Sequence, residues 1–363
     1  MGWAYWNPVR IAFGAGQFDQ VGAQIAGRPY ALVTYGIDHF RALAAKLAAS
    51  AGAPVVTIDN IDTNPDCVDL VESCRRFGAA QTAPQVIVAL GGGSMIDAAK
   101  VLAAGGGDFA RVKRHLIEKA PLDAAKFLPL IAVPTTSGTG SEVTSWATVW
   151  DSAGNAKYSL ANPRLYPEAA FVDPALTLAA PRGLTMTTGL DALSHSLESL
   201  WNVNANPVSA NYAVEAAREI IDALPRLLDR LNDLDLRERL ARASLFAGLA
   251  FSNTKTALAH NISYGITLRH GTPHGIACSF CLPQVMGWAI GANPACDDAL
   301  RRIFGPDLEQ GVHRLTRLLH DVGVGTKPSD HGVGRDEWDD LVEQASEGER
   351  GRNFIGHVPV MSA

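Results

Sequence analysis

The sequence predicts an N-terminal α/β domain, built on a Rossmann-like parallel sheet, followed by an all-α domain. Three observations carry this. Short β-branched runs alternate with helical stretches through the first half, the pattern of a sheet wrapped by helices. Two turns rich in glycine or hydroxyl groups each follow an apolar run. After Pro181 the strand-like runs give way to Ala, Leu, Arg and Glu at helical spacing. At roughly 100–200 residues per domain, a chain of 363 residues suits two domains, set at 1–181 and 182–363.

Taken in order, Tyr30-Ala-Leu-Val-Thr34 reads as a strand, and an alanine-rich helix follows from about Asp38 to Ala51. Pro54-Val-Val-Thr-Ile58 is a second strand. A helix follows Asn64-Pro65, with Asp66 near its positive N-terminus. Val86-Ile-Val-Ala-Leu90 is apolar throughout, as a strand covered on both faces should be. It runs into Gly91-Gly-Gly-Ser94 and a helix carrying Asp97 and Lys100, and Leu128–Val133 is a fourth strand. In the second half, Tyr212–Leu231 is the clearest amphipathic helix.

Composition narrows the class. Hydrophobic residues at 47% and charged residues at 19% allow a substantial core and argue against disorder. A net charge of −6 with no block of like charges argues against a nucleic-acid binder. No apolar run suits a membrane span, and Met1–Pro8 lacks the basic-then-apolar pattern of a signal peptide. Five cysteines, an odd number in a long chain, read as reduced thiols. The expectation is a cytoplasmic protein with no membrane or nucleic-acid partner.

Gly91-Gly92-Gly93-Ser94 joins a buried strand to a helix. Glycine admits close approach of a phosphate, and the helix N-terminus offers unpaired N–H groups. The second turn, Pro134-Thr-Thr-Ser-Gly-Thr-Gly-Ser-Glu142, has no Lys after its glycines and so is not a Walker loop. Either turn alone is ordinary turn chemistry. Two of them after neighbouring strands favour a dinucleotide at the C-terminal edge of the sheet.

Asp191 and His195 lie at i and i+4 of a helical stretch and share a face. His260, His270 and His274 follow within one short segment, so four of the ten histidines fall in two places. One Asp with three His would make a mixed N/O site suited to Fe(II) or Zn(II). Cys278-Ser-Phe-Cys281 has the spacing of half a zinc site but no second pair, and it sits in an apolar stretch, as buried thiols do.

Over nearly its full length the chain resembles the iron-containing (group III) alcohol dehydrogenases. Gly91–Lys100 is similar to that family's pyrophosphate turn, and Pro134–Glu142 to its nicotinamide-side loop. Lys157, Pro167 and Asp173-Pro174 fall where it has a connecting hairpin, and Gly189–His195 with Pro273-His274-Gly275 resemble its metal motifs. The resemblance implies the dehydroquinate synthase-like fold of that family and a homodimer formed through the N-terminal segment Asn7–Gly14. It assigns Asp191, His195, His260 and His274 to Fe(II) or Zn(II), and leaves His270 to the substrate pocket. It places NAD(H) or NADP(H) against Tyr35, Asn64, Gly92, Gly93, Ser94, Asp97, Thr135, Thr136, Ser141 and Lys157. Where the family commonly has a second histidine, this chain has Tyr264. Where NAD-preferring members have an acidic residue it has Tyr35, which leaves NADP open.

The implied reaction is hydride transfer between the nicotinamide and a small aldehyde or its primary alcohol, with the metal polarising the oxygen. The run His260–Tyr264, with Gly271–Gly275, Ala277-Cys278 and Leu282-Pro283, resembles the phosphonoacetaldehyde reductase branch, which makes 2-hydroxyethylphosphonate. Arg269 and His270 are then candidates for holding the phosphonate, Arg269 as an ion-pair partner being the competing reading. The alternatives are a butanol-type alcohol dehydrogenase and, further off, a dehydroquinate synthase-like lyase.

Overall fold

The computed structural model describes residues 2–123, 126–154 and 156–359. The chain divides into two compact units. One comprises Pro8–Thr136 and Ser141–Thr177; the other runs from Leu178 onward and includes the segment ending at Asn7 and Ser137–Gly140.

The first unit is a parallel six-stranded sheet in the order β1-β8-β5-β4-β2-β3. Its strands are β1 (Arg10–Phe13), β2 (Tyr30–Val33), β3 (Val56–Ile58), β4 (Val86–Gly91), β5 (Leu130–Pro134) and β8 (Ala169–Val172), and β6 (Trp146–Asp151) with β7 (Ala156–Ala161) forms a separate antiparallel hairpin. Its helices are α1 (Val21–Ile25), α2 (Asp38–Ala51), α3 (Cys67–Gly78), α4 (Gly93–Gly105) and α5 (Phe109–Glu118). The apolar run of β4 serves both faces: Ile87 and Ala89 pack with Leu70, Phe77 and Ile96, whereas Val86, Val88 and Leu90 pack with Ile25 and Leu47. The expected first, second and third strands, and the α2 helix, are all present. Asp66 caps α3, its carboxylate accepting from the Val68 amide at 2.9 Å. The segment Asn7–Gly14, expected to pair across a dimer, forms β1 and pairs with β8 of the same chain. β1 is an edge of the sheet, and among the described residues no strand takes its other side.

The second unit is helical: α6 (Arg182–Leu200), α7 (Pro207–Asp229), α8 (Leu234–Thr254), α9 (Leu258–His270), α10 (His274–Ala277), α11 (Leu282–Ala289), α12 (Pro294–Phe304), α13 (Leu308–Asp321) and α14 (Arg335–Glu347). Its core runs through Leu193, Leu197, Trp201, Ile220, Leu224, Leu258, Ile262 and Phe280, all shielded from solvent. Two glycines of the second turn serve packing in this unit. A Cβ on Gly138 would fall 2.6 Å from Thr188 Cβ, and one on Gly140, at φ +59°, 2.6 Å from Gly248 Cα. All five cysteines are free and buried. Among the described residues, no helix is long and apolar enough to cross a membrane.

Candidate metal centre and nucleotide turn

The helical unit gathers the candidate ligands around one oxygen. α6 presents Asp191 and His195 one turn apart, α9 contributes His260, and His274 opens α10. Asp191 Oδ1 lies 3.3 Å from His260 Nε2, 3.8 Å from His195 Nε2 and 3.8 Å from His274 Nε2. The rings support one another: His195 stacks on His260 with centroids 4.5 Å apart, and its other neighbour is Phe251 at 4.0 Å and 4°.

Glu198 sets the electrostatics, and its part was not read from the sequence. It lies one further turn along the Asp191–His195 face of α6, fully buried. Its Oε2 accepts from His260 Nδ1 at 2.6 Å and from the Ala257 amide at 3.0 Å, while Oε1 accepts from the amides of Ala259 at 2.6 Å and His260 at 3.2 Å. With Nδ1 committed to Glu198, His260 turns Nε2 toward Asp191; burial opposes charge on the ring, yet the Glu198 and Asp191 carboxylates raise its pKa, and a bound cation would take Nε2 as a lone-pair donor. This is the carboxylate–histidine arrangement that orients a metal-binding imidazole. Burial pulls His195 down to about 4, which keeps it neutral near pH 7. The Gly138 backbone acts on its ring, but Nδ1 has no hydrogen bond of good geometry among the described residues. Burial opposes charge on Asp191, yet the surrounding imidazoles, His195 first, hold its carboxyl well below the usual range. A carboxylate facing converging imidazole nitrogens is a mixed N/O donor set, and it fits a divalent metal of the Fe(II) or Zn(II) kind.

Cys278 belongs to the same neighbourhood. Its sulfur lies 3.6 Å from Asp191 Oδ1, and Asp191, His260, His274 and Cys278 offer ligand atoms all within 4.8 Å of one another. Burial, then the Asp191 carboxylate, pushes the thiol well above its ordinary range, and a bound cation would act against both. Tyr264, one turn after His260, lies nearly parallel to the His274 ring at 6.2 Å and 15°. His270 does not join the cluster: its Nε2 meets Glu337 Oε1 at 2.9 Å. Arg269 shares that carboxylate at 3.2 Å, which is the ion-pair reading of this residue.

In the α/β unit the first glycine turn brings several predicted cofactor residues together. Gly92 caps α4, and a Cβ there would lie 3.2 Å from Thr136 Oγ1 and 3.6 Å from the Tyr35 hydroxyl. Ser94 Oγ accepts from the Asn64 amide at 3.1 Å and hydrogen-bonds Tyr35, whose phenol burial pushes up. The Thr135 amide donates to Gly91 O at 3.0 Å, tying the ends of β4 and β5 together. This cradle at a helix N-terminus, which a side chain at position 92 would fill, fits a pyrophosphate.

Asp97, half-buried, and Ser141, buried, brace α4 against the end of the second turn. Asp97 Oδ1 accepts from Ser141 Oγ at 2.6 Å, and Oδ2 from the Thr148 amide at 2.8 Å. Lys100 Nζ donates to Ser141 O at 2.7 Å and to Trp146 O at 2.8 Å; burial draws it down to about 8, still charged at neutral pH. Lys157 lies over the Trp150 ring at 4.9 Å.

A parallel six-stranded sheet with a glycine turn at a helix N-terminus, and a helical unit with an Asp/His cluster suited to a metal, set the class of protein to compare with. Residues 8–174 match the model of the iron-containing alcohol dehydrogenases, and 185–355 match the C-terminal model of the same family. The chain belongs to the iron-containing alcohol dehydrogenase family and is an oxidoreductase. It is 34% identical to the phosphonoacetaldehyde reductase of Streptomyces viridochromogenes, over 84% of this chain and 78% of that protein. It is 30% identical to the NAD-dependent methanol dehydrogenase of Bacillus methanolicus, over 94% and 93% respectively. Among solved structures, the sulfoacetaldehyde reductase of Bifidobacterium kashiwanohense in complex with NAD+ superposes with a TM-score of 0.91 at 27% identity, covering 99% of this chain and 96% of that one.

Proposed function

We propose that the protein reduces a small anionic aldehyde to its primary alcohol, using NADH or NADPH and one divalent metal, with phosphonoacetaldehyde as the specific substrate. The observation that carries the reaction class is the convergence of three imidazole Nε2 atoms on Asp191 Oδ1. The anionic substrate is supported by similarity to reductases of two aldehydes that each carry a strong acid group on two carbons.

In this reading Asp191, His195, His260 and His274 hold Fe(II) or Zn(II), and Gly92, Gly93 and Ser94 cradle the pyrophosphate beside Tyr35, Asn64, Thr135 and Thr136. When bound, the metal supplies Lewis-acid polarisation of the carbonyl and the reduced nicotinamide supplies the hydride. Glu198 fixes the His260 tautomer, and Phe251 holds the His195 ring in plane. Asp97 and Ser141 brace the turns from behind, with Lys157 at the hairpin. Proton supply is assigned to solvent and to Tyr264 in preference to His270, whose Nε2 is taken by Glu337. A homodimer paired along the open edge of β1 and a cytoplasmic setting, consistent with five free thiols, complete the proposal.

The test is an aldehyde panel with metal-loaded enzyme, followed by loss of NADH or NADPH absorbance. Phosphonoacetaldehyde should give a higher kcat/KM than propanal or butanal. Preference for butanal would support a butanol-type dehydrogenase instead. Turnover without net consumption of reduced nicotinamide would point to a lyase.

A further inference from the structure

We propose that Arg350 is the specificity residue that grips the anionic head group of the substrate, with Tyr264 as the plate that aims it. The proposal rests on the anionic-aldehyde reading above. The guanidinium carbon of Arg350 lies 4.9 Å over the Tyr264 ring, and that ring in turn lies nearly parallel to His274. An arginine, a tyrosine and a candidate metal ligand are thereby stacked in sequence. A guanidinium held over an aromatic face by its carbon leaves its N–H groups at the periphery, where a tetrahedral oxyanion can accept from them.

What sets Arg350 apart is that its guanidinium has no hydrogen-bond acceptor among the described residues. Other arginines withdrawn from solvent in the helical unit are satisfied: half-buried Arg239 by Glu219 at 2.7 Å, and buried Arg237 by Ala180 O at 3.0 Å and Thr185 Oγ1 at 2.9 Å. Arg350 is also half-buried, yet among the described residues no carboxylate stands within ion-pair distance of it. Burial strips it of water and depresses its pKa, the Glu198 carboxylate opposes this from beyond ion-pair distance, and a bound anion would offset the rest of the cost. The backbone beside it is fastened, since the Val203 amide donates to Asn353 O at 2.8 Å and Asn353 Nδ2 donates to Thr256 O at 2.9 Å. Arg269 and His270, the cations that the sequence nominates for this task, share Glu337 instead.

The shared ligand chemistry is a phosphonate or sulfonate on a two-carbon aldehyde. Metal-loaded wild type, Arg350→Gln and Arg350→Lys would be assayed with phosphonoacetaldehyde, sulfoacetaldehyde and propanal. Calorimetry would measure binding of ethylphosphonate and ethylsulfonate, which cannot react. Loss of a charge-assisted contact should raise KM for the preferred anionic aldehyde about ten- to a hundredfold in Arg350→Gln. Its kcat should change little, propanal kinetics should shift far less, and the matching anion should bind weakly. Arg350→Lys should fall between. The wild-type preference distinguishes phosphonate from sulfonate. If wild type prefers propanal and binds neither anion, the substrate reading falls and this inference with it. If wild type prefers an anionic aldehyde and Arg350→Gln retains that preference, only the inference falls. Equal losses for propanal and the anions, or loss of metal in both variants, would overturn it in favour of a structural Arg350.

Discussion

Glu198→Gln tests how the metal centre is organised, because it keeps the side-chain shape and changes only what that side chain can accept. Four N–H groups point at the wild-type carboxylate, two on each oxygen: His260 Nδ1 and the Ala257 amide on Oε2, the Ala259 and His260 amides on Oε1. A glutamine offers one oxygen and one NH2, so in either orientation two of the four donors face another donor. Leaving a buried donor unpaired costs about 1–3 kcal/mol, which should lower the melting temperature by several degrees. Losing the carboxylate that orients a ligand histidine typically costs about 10–100-fold in metal affinity. The assay is competition of the protein with a graded chelator series, with metal content and melting temperature read on the same samples. The expected result is a fall in affinity within that range, with activity restored by excess metal. Wild-type metal affinity in Glu198→Gln would refute the reasoning, because Glu198 would then be a cap for the start of α9 and nothing more.

Other perturbations separate the remaining parts. Gly92→Val should raise the NADH dissociation constant more than about tenfold, since its Cβ already meets Thr136 and its methyls would fill the cradle; unchanged affinity in a fluorescence titration would reduce the turn to a structural one. Burial raises the folded Glu142 carboxyl to about 7 from 4.5, so its stabilising contribution is full below pH 4.5 and lost as pH rises through 7. Melting curves should therefore show Glu142→Gln gaining on wild type between pH 5 and pH 8, and a constant difference would contradict this. Arg269→Ala removes one arm of a partly exposed pair on Glu337 and should change KM for phosphonoacetaldehyde and butanal alike, by about twofold or less; a loss confined to the anionic substrate would return the anion to Arg269.

Much of this architecture is legible because it is written locally. The unbroken apolar run of β4 and the alanine-rich α2 each declare themselves within a dozen residues, and the Asp191–His195 pair needs only the helical repeat. β8 is harder, since Ala169-Ala-Phe-Val172 is short and shows no alternation, and only pairing with β1 and β5 on either side makes it an inner strand. The glycines at 138 and 140 look like phosphate chemistry in sequence, whereas their backbones press against α6 and α8. Glu198 carries no signature until the start of α9 folds onto it. Arg350 and Tyr264 are far apart in the chain, and only the tertiary fold stacks one upon the other.

The central claim is that one Asp and three His hold the metal, with the Cys278 thiol beside them but not bound. X-ray absorption spectroscopy of the metal-loaded protein tests it most directly. The account predicts a first shell of nitrogen and oxygen at about 2.0–2.2 Å with the outer-shell scattering of several imidazoles. A sulfur scatterer near about 2.3 Å would place Cys278 in the first shell and contradict the ligand set.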